Sequence, residues 1–290
     1  CCLRKTTCNA GPADARGTPQ AAPGTIQKVL GGLNRLMEGL LANKTIVVMG
    51  VANRRSIAWG CVQEMEKQGA TVIYTYNRER TLKRLTKLVG EEKADRMIQC
   101  DVASDESIQR AFQQIGEQFG QLDGVVHSVA FANPAELGGE MTDVSREGYA
   151  LAQDVSAYSL IAVCRAAAPL LKNPASVVTM SYFGDERAIP NYNVMGAAKA
   201  ALEANVRYLA RDMGKNGVRV NAISAGALKT LAVTGIQGHG ELLAMSKART
   251  VDGKDVTIEE VGGTATFLMS DLSTGVTGDV IYVDKGVHLI

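Results

Sequence analysis

Thr45-Ile46-Val47-Val48-Met49-Gly50-Val51-Ala52-Asn53-Arg54-Arg55-Ser56-Ile57-Ala58 sets the pattern for the rest of the chain. Thr45 to Met49 is a short apolar run that stops at Gly50, as in a parallel strand buried on both faces. Ser56 to Gln68 then reads as a helix, closed by Gly69. Working outward, further strands are expected at Thr71 to Tyr76, Arg96 to Cys100, Gly124 to Val129, Ser176 to Ser181, Val218 to Ile223 and Val280 to Val283. Helices are expected between them over Glu79 to Val89, Asp105 to Phe119, Ser145 to Leu171, Tyr192 to Lys215 and Thr257 to Ser270. Strict βα alternation with short connections implies right-handed crossovers. The expected fold is α/β, a single doubly wound parallel sheet of about seven strands with helices on both faces. Ligands on such sheets sit beyond the carboxyl ends of the strands. Gly50, Asp101, Ser128, Ser181-Tyr182 and the segment after Ser224 all fall at such ends.

Composition narrows the function classes. The 290 residues, 46% hydrophobic and 21% charged, suffice for a large core and exclude chain-wide disorder. A net charge of +1 asks for neither nucleic acid nor an anionic membrane. No apolar run approaches a membrane span. The six cysteines form neither a metal pattern nor a disulfide framework. Cys1, Cys2 and Cys8 crowd the start, whereas Cys61, Cys100 and Cys164 read as buried small hydrophobes, a usage that suits a reducing cytoplasm. His127 is read as mid-strand, His239 as part of a loop and His288 as part of the tail, so no metal site is expected.

Residues 1–36 do not read as part of the fold. Asn9 to Thr25 is rich in Ala, Gly, Pro and Thr without periodicity, and the first methionine is Met37. One reading is a disordered or non-native leader. The other is an organelle transit peptide, since Asp14 is the only acid before Glu38 and basic residues are scattered through the segment. A short helix at Ile26 to Leu36 fits either. The folded domain is expected over 37–290.

The chemistry concentrates in Ser181-Tyr182-Phe183-Gly184 and Pro190-Asn191-Tyr192-Asn193-Val194-Met195-Gly196-Ala197-Ala198-Lys199. Tyr192 and Lys199 are seven apart, almost two helical turns, so a helix puts both on one face. A phenol can give a proton or hydrogen bond to a developing oxyanion. An ammonium can hold a ribose and favour the phenolate. Behind a dinucleotide-type first half, this pair suits reduction of a carbonyl or an enone.

Short-chain dehydrogenases in general space such a pair four apart. The seven-residue spacing here comes with a second tyrosine ten residues upstream and with Ala188-Ile189-Pro190-Asn191. Together with Gly50-Val51-Ala52-Asn53 and Arg55-Ser56-Ile57-Ala58-Trp59-Gly60, these features resemble the NAD(P)H-dependent enoyl-[acyl-carrier-protein] reductases of bacterial fatty-acid synthesis, the FabI type. The likeness runs from about Leu40 to Ile290. It implies a Rossmann-like domain of the short-chain dehydrogenase/reductase superfamily. It also implies NADH as cofactor with NADPH as the alternative, an acyl carrier protein bearing the enoyl thioester as partner, and a homotetramer. A cytoplasmic location goes with it, or a plastid or other organelle if the leader is a transit peptide.

The resemblance also assigns residues. Gly50, Ser56 and Ile57 would meet the pyrophosphate, with Ser56 where a second glycine is common. Asp101 and Val102 would lie by the adenine, a helix N-cap being the other reading of Asp101. Ser128 and Val129 would line the adenosine ribose and the nicotinamide side, next to Ala130 where many relatives have glycine. Asn77 could bond a ribose hydroxyl and Arg78 a 2′-phosphate, although Arg78 and Arg80 also read as solvated helix-start residues. Leu228, Lys229, Thr230, Leu231 and Ala232 would meet the carboxamide and the diphosphate. They open a substrate-binding loop at about 228–244, with Ala227 where most relatives have proline. Tyr182, Tyr192 and Lys199 form the implied catalytic set: Tyr192 the donor to the enolate oxygen, Lys199 on the nicotinamide ribose, Tyr182 at the acyl side. Ala132, Tyr182 and Tyr192 would touch substrate. Phe131, Met195, Val233 and Ile236 fit either the acyl pocket or plain packing. The alternative activity is that of another short-chain dehydrogenase/reductase acting on a carbonyl or alcohol. A non-catalytic nucleotide-binding regulator is a third class, and the presence of both Tyr192 and Lys199 argues against it.

Overall fold

The computed structural model describes residues 39–230 and 238–290. The expectations for residues 1–36, and those for Leu231, Ala232, Val233 and Ile236, lie outside the described residues. Seven strands occur among them: β1 (Thr45–Met49), β2 (Thr71–Tyr76), β3 (Met97–Gln99), β4 (Leu122–His127), β5 (Leu171–Ser181), β6 (Val218–Ala225) and β7 (Val280–Val283). All neighbours pair in parallel, in the order β3-β2-β1-β4-β5-β6-β7. The helices are α1 (Ile57–Lys67), α2 (Glu79–Val89), α3 (Asp105–Phe119), α4 (Pro134–Leu137), α5 (Arg146–Gln153), α6 (Ser159–Ala167), α7 (Asn193–Gly214), α8 (His239–Arg249) and α9 (Ile258–Met269).

The two-residue period of β1 explains the layers. Val47 and Met49 enter a core with Ile108 and Phe112 of α3, Val163 of α6 and Leu202 of α7. Ile46 and Val48 face the opposite way, into a core with Cys61 and Met65 of α1, Leu85 of α2 and Leu268 of α9. Successive side chains of a strand point to opposite faces, so a continuous apolar run buries both.

The chain winds outward from β1 in both directions, so a crevice opens between the ends of β1 and β4. Gly50 sits there with φ +90°, and a Cβ on it would run into the Ser128 carbonyl oxygen. Only glycine meets both demands.

Several expected boundaries move. β4 ends at His127, so Ser128 and Val129 lie beyond the strand and His127 closes it rather than sitting mid-strand. β3 shortens to Met97–Gln99 and β6 extends to Ala225. The single helix expected over Ser145 to Leu171 is α5 and α6 joined by a π-helical turn, Asp154–Tyr158, and the chain is already in β5 at Leu171. Polar contacts hold that turn. The Ser159 hydroxyl donates to the Val155 carbonyl at 2.7 Å and lies 2.9 Å from His127 Nε2. The Ser156 hydroxyl donates to the Phe131 carbonyl and accepts from the Phe131 N–H, both at 3.0 Å. Hydrophobic periodicity does not register such a one-residue insertion. Tyr192 stands at the N-cap of α7 with φ −125°, not within the helix. α8 begins at His239, inside the stretch 228–244 expected as a loop.

Candidate active site

A cavity of about 500 Å³ opens beyond the carboxyl ends of β1, β4, β5 and β6. Its first wall is the β1–β4 crevice: Gly50, Ser56 and Ile57 on one side, Ser128 and Val129 on the other. Ser56 is the N-cap of α1, yet its hydroxyl turns back to donate to the Asn53 carbonyl at 2.7 Å and does not cap the helix. The first turn of α1 therefore has no side-chain cap where it meets the cavity. An uncapped helix start beside a glycine-cleared crevice is a fit site for a phosphate group.

The second wall carries Tyr182, Tyr192 and Lys199. The Tyr182 and Tyr192 rings meet edge to face with centroids 4.9 Å apart. Gly184 makes room for this, because a Cβ there would come within 2.6 Å of the Tyr192 ring. Burial, then Tyr182 and Asp185, push the Tyr192 phenol above the ordinary tyrosine value. Burial pushes Tyr182 up to about 12, with Arg249 acting the other way. Tyr192 is thus a protonated donor at neutral pH, contrary to the expectation that Lys199 would favour its phenolate. Lys199 is only 5% exposed and donates from Nζ to the Met180 carbonyl at 2.7 Å. Burial lowers it to about 8, with Glu203 acting in the opposite sense.

The third wall is apolar. Ala132, Leu137 and Met195 line it, backed by buried Val194, with Tyr192 and Leu242 packed against them. Half-exposed Phe131 also lines the cavity, as do Leu228 and Thr230 beyond β6.

Four implied cofactor residues are not among those lining this cavity. Asn77 is exposed, and its side-chain oxygen accepts from the Thr81 hydroxyl at 2.9 Å. Asp101 accepts from the Ala103 N–H at 3.2 Å, and Ser104, not Asp101, caps α3. Val102 is buried in the core against α3, and Lys229 is exposed. Asn77 and Asp101 do flank the same edge, at the ends of β2 and β3. Sequence reasoning missed the contributions of Leu137 and Leu242, since α4 is one turn long and α8 lies far along the chain. It also missed Glu203, whose signal was an acid one helical turn after Lys199. Among the described residues no group of three or more His, Cys, Asp or Glu could hold a metal, and no helix is long and apolar enough to cross a membrane. Cys61, Cys100 and Cys164 are buried, and desolvation raises each thiol to about 12.

A parallel sheet with an anion-ready crevice at its switch point, and a partly buried tyrosine with a buried lysine beside it, defines the class: a Rossmann-type oxidoreductase of the short-chain dehydrogenase/reductase kind. The profile of the family described as enoyl-(acyl carrier protein) reductase matches residues 50–288. The enoyl-[acyl-carrier-protein] reductase [NADH] FabI of Enterococcus faecalis is 56% identical over 249 residues, covering 86% of this chain and 99% of that protein. The [NADPH] FabI of Staphylococcus aureus is 48% identical over 252 residues, covering 86% of this chain and 98% of its own length. The crystal structure of the NADH enzyme from Aquifex aeolicus superposes with a TM-score of 0.84 at 45% identity, covering 87% of this chain and 99% of that one. The chain belongs to the enoyl-[acyl-carrier-protein] reductase family.

Proposed function

We propose that this protein reduces the trans-2 double bond of enoyl thioesters carried on acyl carrier protein, with Tyr192 as donor to the substrate and Lys199 as anchor for NADH or NADPH. One observation carries the assignment: a protonated phenol shares a single cavity with a buried ammonium and an apolar wall.

A reduced nicotinamide bound in the crevice supplies hydride to the β-carbon of the enoyl group. The remaining work falls to the chain. The Gly50 turn and the start of α1 hold the pyrophosphate, and Ser128 and Val129 flank the dinucleotide. Lys199 has spent one N–H on the Met180 carbonyl, which leaves two for ribose hydroxyls. As charge builds on the thioester oxygen, Tyr192 donates to it. A fixed donor aimed at developing charge is typically the largest electrostatic contribution to such a step. Tyr182 packs edge-on against Tyr192 and holds its ring. Leu137, Met195 and Leu242 receive the acyl chain and exclude water. Asn77, Asp101 and Val102 belong to the adenosine end, with Leu228 and Thr230 on the carboxamide side.

The catalytic domain is proposed to span 37–290, to work as a homotetramer and to reside in the cytoplasm. The test is an absorbance assay with crotonyl and acetoacetyl thioesters and each reduced cofactor. NADH consumption with the crotonyl thioester alone is the expected result. Consumption with the acetoacetyl thioester alone would assign the protein to carbonyl reduction instead.

A further inference from the structure

We propose that Glu203 is a positioning residue for Lys199, holding its charge in place where the cofactor binds. The inference rests on the reading of Lys199 as the cofactor anchor. Glu203 lies one turn beyond Lys199 on α7, and the two are 6% and 5% exposed. They reach adjacent residues at the end of β5. Lys199 Nζ donates to the Met180 carbonyl at 2.7 Å, and the Ser181 hydroxyl donates to Glu203 Oε1 at 2.5 Å. A buried ammonium without a nearby anion sheds its proton.

The surroundings of the pair come from every packed element. Burial, then the Lys199 charge, lowers His127 of β4 to about 3, so it is neutral and adds no cation at working pH. Tyr182 and Tyr192 share the cavity with Lys199 as protonated phenols. Asp185 and Glu186, just beyond Tyr182, face Glu203. The Tyr282 hydroxyl of β7 donates to Glu186 Oε1 at 2.6 Å and lies within electrostatic reach of Glu203. Burial raises Glu203 to about 7, with Asp185 adding to the rise and the Ser181 hydrogen bond opposing it. The signs then interlock. Glu203 gains its negative charge as pH rises through about 7, just below the range near 8 where Lys199 begins to lose its positive one.

The experiment is a fluorescence titration of NADH, without enoyl substrate, from pH 6 to 10. The parent, Glu203→Gln, Glu203→Asp and Ser181→Ala are compared, with folding checked by circular dichroism. Because turnover is not read, a failure of the enoyl-reduction assay and a failure of this coupling are seen separately. The parent is expected to lose NADH affinity on the alkaline side as Lys199 deprotonates. Glu203→Gln keeps an acceptor for Ser181 but no charge. Its alkaline loss should begin roughly one pH unit earlier, about a tenfold weaker affinity at pH 8.5, with affinity at pH 6 within about twofold of the parent. Glu203→Asp retains the charge and should restore most of the limb, which a merely structural role would not predict. Ser181→Ala removes the bond that helps Glu203 ionise, so its limb should move the same way by less. It keeps the idea testable should Glu203→Gln not fold. An alkaline limb that stays put in Glu203→Gln, or in Ser181→Ala if that is the variant that folds, overturns the proposal. So does a parent whose NADH affinity is flat to pH 10.

Discussion

At the β1–β4 end of the cavity the surface offered to a ligand is mostly main chain: the Gly50 turn, the start of α1 and the Ser128 backbone. At the β5–α7 end it is side chain: two partly buried phenols crowded together beside a buried ammonium. The first end tolerates changes of side chain but not of backbone shape, which is why Ser56 can stand where another nucleotide loop has glycine. The second depends on the identity of particular atoms. An isosteric change there alters chemistry while leaving the fold intact.

Tyr192→Phe is the sharpest way to test that contrast. It removes one hydroxyl and preserves the ring contact with Tyr182, so stability should hold while turnover falls. Loss of a preorganised donor costs about 2.7–4 kcal/mol, roughly a hundred- to a thousandfold in kcat. Steady-state kinetics with a crotonyl thioester would show it. A kcat within threefold of the parent would remove Tyr192 from the proposed role.

Lys199→Ala should act on a different quantity. Its proposed partner is the ribose, so NADH should bind more weakly, by about ten- to a hundredfold for a charged hydrogen bond worth roughly 1.5–3 kcal/mol. NADH affinity equal to that of the parent would separate Lys199 from the cofactor.

Gly50→Ala probes the main-chain end. It forces a side chain into the left-handed region and onto the Ser128 carbonyl, a strain of order 1–3 kcal/mol. Both the melting temperature and NADH affinity should drop together, unlike either substitution at the other end. A variant as stable as the parent would show that the β1–β4 crevice can widen.

The smallest effect is expected at Arg78. It is exposed at the N-cap of α2 and makes no ion pair among the described residues. Exposed charge pairs are weak, so Arg78→Ala should reduce NADPH affinity about fivefold at most and leave NADH unchanged. Equal loss for both cofactors would rule out Arg78 as a selector of the 2′-phosphate.

Much of the molecule was legible in one dimension. Thr45–Met49, Thr71–Tyr76 and Val280–Val283 were read to the residue, as were Glu79–Val89 and Asp105–Phe119. Apolar period, glycine stops and strict alternation are local properties, so the chain carries them openly, and the crossover rule turns them into a doubly wound parallel sheet. The spacing of Tyr192 and Lys199 was equally open, though the reason offered for it was incomplete. Tyr192 precedes the helix, and its ring reaches the cavity through the N-cap turn and the clearance left by Gly184. What only the tertiary structure decided depends on packing between distant segments. The π turn at Asp154–Tyr158 exists because His127 and Phe131 meet the serines of that stretch across the sheet edge. The apolar wall needs Leu137 and Leu242, more than a hundred residues apart, beside Met195. The proton affinities of Tyr192, Lys199 and Glu203 are set by how far the fold withdraws each from water. Burial of that kind is a property of the assembled fold, not of any residue or its neighbours along the chain.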